Sequence, residues 1–422
     1  MLITSAPVAT GCIAVLGILG MLLRPWKLPE ALWVGLATLA LLILGLISFQ
    51  DAARAVLKGT DVYCFLSGMM VLAELARHEG LFDWLAALAV RCSKGSPARL
   101  FALVYMVGTV VTVLLSNDAT AVVLTPAVYA AARRAGAQPL PYLFVCAFIA
   151  NAASFVLPIS NPANLVVYGA HMPPLIRWFG EFGVASMVSI LVTFFILRFT
   201  QRRDLSGTIS GVIALPVLSH GGKFAAAGIG LTAAALLIAS SLDWRLGLPT
   251  LLAGCATAAA ILFINRRPPW IIIRDISWSV LPLVAGLFIL VQAVDRTGAL
   301  QPIVRLLTSS ASAAPGLTAL SAGAMVGFLS NLLNNLPVGL LAGSLASGAH
   351  LSPQLTGALL IGVDLGPNLS VTGSLATILW LIALRREKQA VSAWQFLSLG
   401  CLLMPAALLA ALVSFLGFAA HQ

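Results

Sequence analysis

Four short stretches of this chain hold amides, hydroxyls and two carboxylates where the surrounding runs hold Leu, Val, Ala and Ile. Residues 115–126 read LSNDATAVVLTP and residues 329–340 read LSNLLNNLPVGL. Residues 151–165 read NAASFVLPISNPANL and residues 364–379 read DLGPNLSVTGSLATIL. Amide and hydroxyl side chains both donate and accept hydrogen bonds. The candidate substrate-binding residues are Ser116, Asn117 and Thr120; Asn151, Ser160, Asn161 and Asn164; Ser330, Asn331, Asn334 and Asn335; and Asn368, Thr372 and Ser374. Asp118 and Asp364 are the candidate proton-coupling residues. A carboxylate inside hydrocarbon costs about 2.5–3.5 kcal/mol on insertion scales, so its presence is by default a functional hypothesis. Proton carriage is the preferred role, cation coordination the second, and a plain helix cap the third.

The chain that must position these groups is a membrane protein. Its 422 residues are 60% hydrophobic and 9% charged, with a mean hydropathy of +1.01, far from the composition of soluble domains. About 20 apolar residues span a bilayer as a helix. Apolar runs place spans near 6–23, 30–48, 61–78, 141–172, 182–199, 223–241, 247–264, 278–295, 354–384 and 395–418. Two longer segments, 98–134 and 315–349, are interrupted in the middle by the first two polar stretches and read as re-entrant hairpins. Non-helical backbone at that depth is tolerated only where protein buries it or it lines a watery cavity. Pro126, Pro158, Pro162, Pro337 and Pro367 shape these interruptions rather than touch a ligand. The N-terminus carries no basic residue before its apolar run and no small-residue cleavage site, so it does not read as a cleaved signal peptide.

The pattern repeats. Residues 68–80 (GMMVLAELARHEG) resemble residues 286–298 (GLFILVQAVDRTG) at an offset of 218, Asn117 matches Asn331 at 214, and Asn151 matches Asp364 at 213. The expected fold is an all-α polytopic membrane protein of two inverted repeats, with about ten transmembrane helices and two re-entrant hairpins. The first repeat takes residues 1–200, a cytoplasmic linker 201–222, and the second repeat 223–422. Repeated halves with interrupted apolar segments in matching positions point to a transporter's binding site, with half-helix N-termini and amides as donors. With both hairpins re-entrant, six of the 24 basic residues (Arg54, Lys58, Arg177, Arg245, Arg296, Arg305) fall on one side and the remaining 18 on the other. The positive-inside rule puts the larger group in the cytoplasm and both termini outside. The hairpin at 98–134 then faces the cytoplasm and the one at 315–349 faces outward.

Other residue types have plainer readings. Glu74 sits inside a span as a bundle-facing hydrogen-bonder, while Arg77, His78 and Glu79 are interfacial. His171, His220, His350 and His421 fall in loops or at the terminus, and Trp26, Trp178 and Trp244 at span ends suit an aromatic belt. The six cysteines lie outside the four polar stretches, form no CxxC pair and read as small apolar residues. None of the five lysines is followed by Ser or Thr and HExxH is absent, so neither a P-loop nor a zincin motif exists. The basic residues follow span ends rather than forming a nucleic-acid patch. No cofactor, resident metal or nucleic acid is expected. Singly, any of these Asn residues could just cap a helix or join two helices.

The strings LSNDATAVVLTPAV, ISNPANLVVYG, LSNLLNNLP and GVDLGPNLSVTGSLATILWL closely resemble the ArsB-type arsenite efflux permeases of the ion transporter superfamily, over essentially the whole chain. That resemblance implies an inner-membrane secondary transporter, not an enzyme, exporting arsenite and antimonite in exchange for protons. In some systems of that family a cytoplasmic ATPase assists. The superfamily's dicarboxylate branch has Ser-Asn-Thr at both hairpin tips; Ser-Asn-Asp and Ser-Asn-Leu here argue against a carboxylate substrate. Arsenite near neutral pH is an uncharged trihydroxide, which Asn, Ser and Thr can bind without a countercharge. A sodium/proton antiporter or anion carrier of the same superfamily is the alternative. An intramembrane hydrolase or membrane receptor is the remote one: no His accompanies the mid-depth Ser residues, and a receptor has no need of two inverted halves.

Overall fold

The computed structural model describes residues 2–169, 172–211 and 213–419, and His171 and His421 lie outside them. The chain is a multi-pass helical membrane protein, with no strand among the described residues. In the first half α1 (Leu2–Leu23), α2 (Glu30–Ile43), α3 (Phe49–Lys58), α4 (Thr60–His78), α5 (Leu81–Cys92) and α6 (Pro97–Leu114) lead to the first polar stretch. There α7 (Asn117–Ala119) runs through a π-helical turn (Thr120–Leu124) into α8 (Thr125–Arg134), followed by α9 (Leu140–Ala152), α10 (Pro162–Tyr168) and α11 (Leu175–Thr200). The second half comprises α12 (His220–Ser241), α13 (Gly247–Asn265), α14 (Trp270–Ile273), α15 (Val280–Arg296) and α16 (Gln301–Ala313). It continues with α17 (Pro315–Leu333), α18 (Asn335–Gly348), α19 (Pro353–Leu365), α20 (Leu375–Arg386) and α21 (Ala393–Ala419).

Helix order and packing both repeat. In chain order α1–α6 match α12–α17, α7 with α8 matches α18, and α9, α10 and α11 match α19, α20 and α21. The contacts obey the same relation: α4 packs on α13 as α2 packs on α15, α6 on α9 as α17 on α19, and α10 on α18 as α20 on the α7–α8 stretch. The closing helices α11 and α21 pack on each other. Between the halves, Ser219 caps α12 by accepting from the Gly222 amide at 2.8 Å, which starts that helix at His220, a little before the expected linker end.

Among the described residues seven helices can cross a membrane by length and composition, or nine when the pairs α3–α4 (bent by 48°) and α15–α16 (bent by 77°) each count as one span. The expected spans at 30–48, 141–172 and 354–384 are absent from that set, the first because α2 has only 14 residues and the other two because each is broken into two short helices. Four helices, α3, α5, α14 and α16, were not expected. The mixed polar and apolar composition of α3, α5 and α16 and the four-residue length of α14 hide them from a search for apolar runs. The first hairpin is real: Thr120 Oγ1 lies 2.8 Å from Thr112 Oγ1 and 3.5 Å from the Gly108 carbonyl oxygen. Twelve residues along a continuous helix would separate Gly108 and Thr120 by about 18 Å. At the second tip Asn334, with φ 73°, ends α17 and starts α18.

Trp178 corrects the aromatic-belt expectation. It is fully buried, donates its indole N–H to the Phe155 carbonyl at 3.1 Å and stacks near Phe182 and Tyr168, so it holds α11 against the first break. Trp26 and Trp244 are exposed, as a belt requires. Of the cysteines only Cys146 is buried; Cys12, Cys92, Cys255 and Cys401 are exposed on helices or at their ends, where bilayer rather than protein surrounds an apolar side chain.

A close backbone crossing joins α17 and α19, where Gly323 and Gly327 face Gly362 and Gly366 at four-residue spacing. A Cβ on Gly362 would lie 2.2 Å from the Gly323 carbonyl oxygen, and one on Gly366 2.3 Å from that of Gly327. Small residues at such spacing let membrane helices approach backbone to backbone. Gly362→Val is therefore expected to destabilise by roughly 1–3 kcal/mol, as overpacking does, and to lower the melting temperature of the solubilised protein. Gly230→Val, on α12 with no atom within 4 Å of its would-be Cβ, is expected to leave it unchanged.

Candidate functional site

Both hairpin tips are built by N-caps. Ser116 Oγ accepts from the Ala119 amide at 3.2 Å to start α7, and Asn334 Oδ1 accepts from the Leu336 amide at 3.3 Å to start α18. The first residues after the caps are Asn117 and Asn335. The structural partner of Asn117 is therefore Asn335, at the same 218 offset as the glycines of α4 and α15, and not Asn331 as the string match suggested. Asn331 instead matches Val113, the last turn of the first arm.

Each tip leans on the break of its own half. Ser160 Oγ donates to the Val113 carbonyl at 3.2 Å in the first, and Thr372 Oγ1 donates to the Asn331 carbonyl at 3.0 Å in the second. Asn331 goes further: its amide donates to the Gly327 and Gly366 carbonyls and its oxygen accepts from the Ser370 amide and hydroxyl. Its hydrogen-bonding capacity is filled by protein, so it is a structural clamp in this conformation. Ser330 returns its hydroxyl to the Val326 carbonyl, and Thr120 closes the hairpin neck. Asn334 also reaches the Thr372 carbonyl at 3.4 Å, while the main-chain amide of Asn335 donates to the Gly373 carbonyl at 2.8 Å.

The two breaks cross at the centre, where Asn151, Ser154, Ser160, Asn161, Asn164, Asp364, Asn368 and Ser374 are buried, while Ser370 and Thr372 are half-buried. The first break, residues 153–161, separates α9 from α10, and Asn161 caps α10 by accepting from the Ala163 amide at 3.0 Å. The second, residues 366–374, separates α19 from α20, with Ser374 capping α20 through the Thr377 amide. Proline opens each break's short helical turn, at Pro158 and Pro367. Asn151 and Asp364 occupy the same position, one residue from the end of α9 and α19. Asn151 Nδ2 donates to Asn368 Oδ1 at 3.0 Å, and Asn161 Nδ2 donates to Asp364 Oδ1 at 2.6 Å. Each half thus grips the other half's break. Asn368 finishes the lacing by donating to the Phe148 carbonyl at 3.1 Å.

Three buried acceptor atoms at this crossing have no protein donor: Asn151 Oδ1, Asn164 Oδ1 and Asp364 Oδ2. The donors of Asn164 are spent on the Ser154 and Leu157 carbonyls, and Ser154, beside Asp364, gives its hydroxyl to the Asn151 carbonyl. A buried acceptor left without a donor costs roughly 1–3 kcal/mol. Such a set can accept from a group that brings hydrogens or positive charge. No Lys, Arg or His occurs in any of the four polar stretches, and the one buried cysteine, Cys146, sits against Thr125 near the end of the first stretch rather than at its tip. Asp118 stands apart, half-buried in α7, which packs on α9 and α20. Glu74 lies outside the crossing, near the end of α4, where it pairs with Arg77 and His78 while Asp275 of the other half closes the cluster. Ser154 and Ser370 belong to the site's framework although neither was a candidate. Their places inside the broken segments were the available signal.

The family model described as citrate transporter matches residues 1–367. An arsenical pump membrane protein of Escherichia coli (strain K12) is 28% identical over 343 residues, covering 77% of this chain and 78% of that protein. The arsenical pump membrane protein of Yersinia enterocolitica is 26% identical over 339 residues, with the same coverage. A putative arsenical pump membrane protein of Bacillus subtilis (strain 168) is 22% identical over 426 residues, covering 90% of this chain and 93% of that one. Among solved structures, the YdaH transporter of Alcanivorax borkumensis, described as having an unusual topology, matches with a TM-score of 0.58 at 17% identity over 88% of each chain. Two laced halves with broken helices, a family model spanning most of the sequence and relatives named as membrane pumps agree: the chain belongs to the citrate transporter family of membrane transporters.

Proposed function

We propose that this protein exports arsenite and antimonite across the inner membrane in exchange for protons, by alternating access. The observation that carries the reading is the set of three buried acceptors at the crossing, with no cationic side chain among them. A trihydroxide such as neutral arsenite brings three O–H donors to three waiting oxygens. Citrate is a polyanion and brings acceptors instead, so burying it here would set carboxylates against Asp364 and unpaired carbonyl oxygens. The names of the pump relatives point the same way as this chemistry.

Asp364 Oδ2 gives the coupling a physical form. The atom needs one hydrogen, and either a proton or a substrate hydroxyl can supply it. Mutually exclusive occupancy of one atom is what antiport requires. Asp118, on the first tip and half-buried, is the second station for the proton. The charge asymmetry supports a first hairpin open to the cytoplasm, a second open outward and both termini outside, which makes the two repeats inverted. A cytoplasmic ATPase as partner fits the exposed basic ends of the helices on that side.

A second reading rests on the same oxygens. Carboxylate and amide oxygens also coordinate hard cations, so Asp364, Asn151 and Asn164 could hold sodium in a sodium/proton antiporter of the same superfamily.

Everted membrane vesicles separate the two. Arsenite should accumulate when the vesicle interior is acidified, collapse with an ionophore that dissipates the gradient, and ignore excess citrate or removal of sodium; no arsenite accumulation at all would remove the proposal. Asp364→Asn is expected to lower the gradient-driven rate by about tenfold or more while the protein still inserts and folds, with Asp118→Asn acting in the same direction. Asn164→Ala, which removes an acceptor but no charge and no bond between the halves, is expected to raise KM by about tenfold with less change in kcat, the mark of lost binding.

A further inference from the structure

We propose that the groove between α4, α13 and α14 is a binding site for one anionic phospholipid, its acyl chains in the apolar trough and its phosphate held by Arg266 and Arg267. The groove has a volume of about 1030 Å³ and is walled by Val71, Leu262, Ile272 and Ile276, with the two arginines on its rim. Its outer edge is open to the bilayer: Phe263 is 86% exposed and Ile273 is exposed as well. A trough of this kind against lipid takes an acyl chain; the adjacent arginines make it selective for a headgroup.

The charges are available. Among the described residues no ion pair involves Arg266, which ends α13 in the left-handed conformation at φ 48°. Arg267 has only a 3.6 Å contact with Glu79, whose oxygens already accept from Asn265 at 3.1 Å and Ser219 at 3.0 Å. The nearby Asp275 carboxylate is taken by Arg77 and His78. Depth is marked by Trp270, 71% exposed, and Trp278, which anchors its indole on the Ile273 carbonyl, as aromatic side chains do at the headgroup level. Basic pockets between membrane helices near the interface suit anionic headgroups.

The other half lacks the site, so it does not follow from the duplicated fold. There α2 ends at Leu44 and Gly45 without charge, and α3, ten residues long, buries Ala52 and Ala55 and packs on α15. Its counterpart α14 has four residues, and the shortening leaves the trough uncovered. A second copy is a poorer occupant than a lipid. A symmetric dimer through this groove would bring two arginine pairs to one buried rim, like against like.

The test is native mass spectrometry of the full chain released from vesicles of equal phosphatidylglycerol and phosphatidylcholine. The wild-type protein should retain one phosphatidylglycerol in about tenfold preference over phosphatidylcholine. The double variant Arg266→Gln with Arg267→Gln should lose that preference, and the Lys pair at the same positions should keep it. Arg133→Gln with Arg134→Gln, an exposed pair ending α8, should also keep it. Equal retention of the two lipids by the wild-type protein, or an unchanged preference in the double Gln variant with an unchanged melting temperature, would overturn the proposal. So would displacement of the lipid by millimolar inorganic phosphate, or a dimer that persists after delipidation and is broken by the double Gln variant.

Discussion

Two hydrogen bonds between the halves, Asn151 to Asn368 and Asn161 to Asp364, hold together the two broken helices that cross at the centre of this chain. Broken helices expose amides and carbonyls that hydrocarbon cannot satisfy. Here the breaks satisfy one another in part: Asn151, Asn161 and Asn368 reach across to the other half, while Asn164 and Ser154 bond within their own segment. The same residues leave three oxygens without donors. Framework and ligand demand come from one set of side chains.

The remaining architecture keeps that crossing in register. Gly323, Gly327, Gly362 and Gly366 draw α17 onto α19 closely enough for Asn331 to reach the Gly366 carbonyl at 2.7 Å. Trp178 and Ser189 donate to the Phe155 and Ala152 carbonyls, giving partners to the first break on the side away from the crossing. Trp380 does the equivalent for α9, donating to the Leu143 carbonyl at 3.0 Å. The tips lean on the breaks through Ser160 and Thr372. A movement that opens the crossing from one side therefore has to release a tip, the first held through Ser160 and the second through Thr372 together with Asn331, Asn334 and the Asn335 amide.

The sequence made the broken segments legible because polar residues in long apolar runs have no cheap alternative explanation. The 213 offset between Asn151 and Asp364 was legible for the same reason, and the structure puts both at the same place in their helices. The tip register was not. Asn117 and Asn331 share a Ser before them, but the helix start is set by whichever residue caps it, and in the second tip Asn334 does so four residues after Ser330. Trp178 was misread because its distance from a span end says nothing about which face of α11 it occupies. The short amphipathic helices α3, α5 and α16 and the single apolar turn α14 escaped a search tuned to apolar length. Asn331 looked like a ligand group by type, and only geometry shows that its bonds are already spent, whereas Asn164, of the same type, keeps a free acceptor.

The central claim is that Asn151, Asn164 and Asp364 together accept hydrogen bonds from a neutral metalloid hydroxide. The most direct measurement is a structure of the protein loaded with antimonite, using the anomalous signal of antimony to place the ligand. The account predicts one antimony site at the crossing of the two breaks, with its hydroxyls within hydrogen-bond distance of those three oxygens. An antimony site bound to a cysteine, or lodged elsewhere while the three oxygens keep protein or sodium partners, would contradict it.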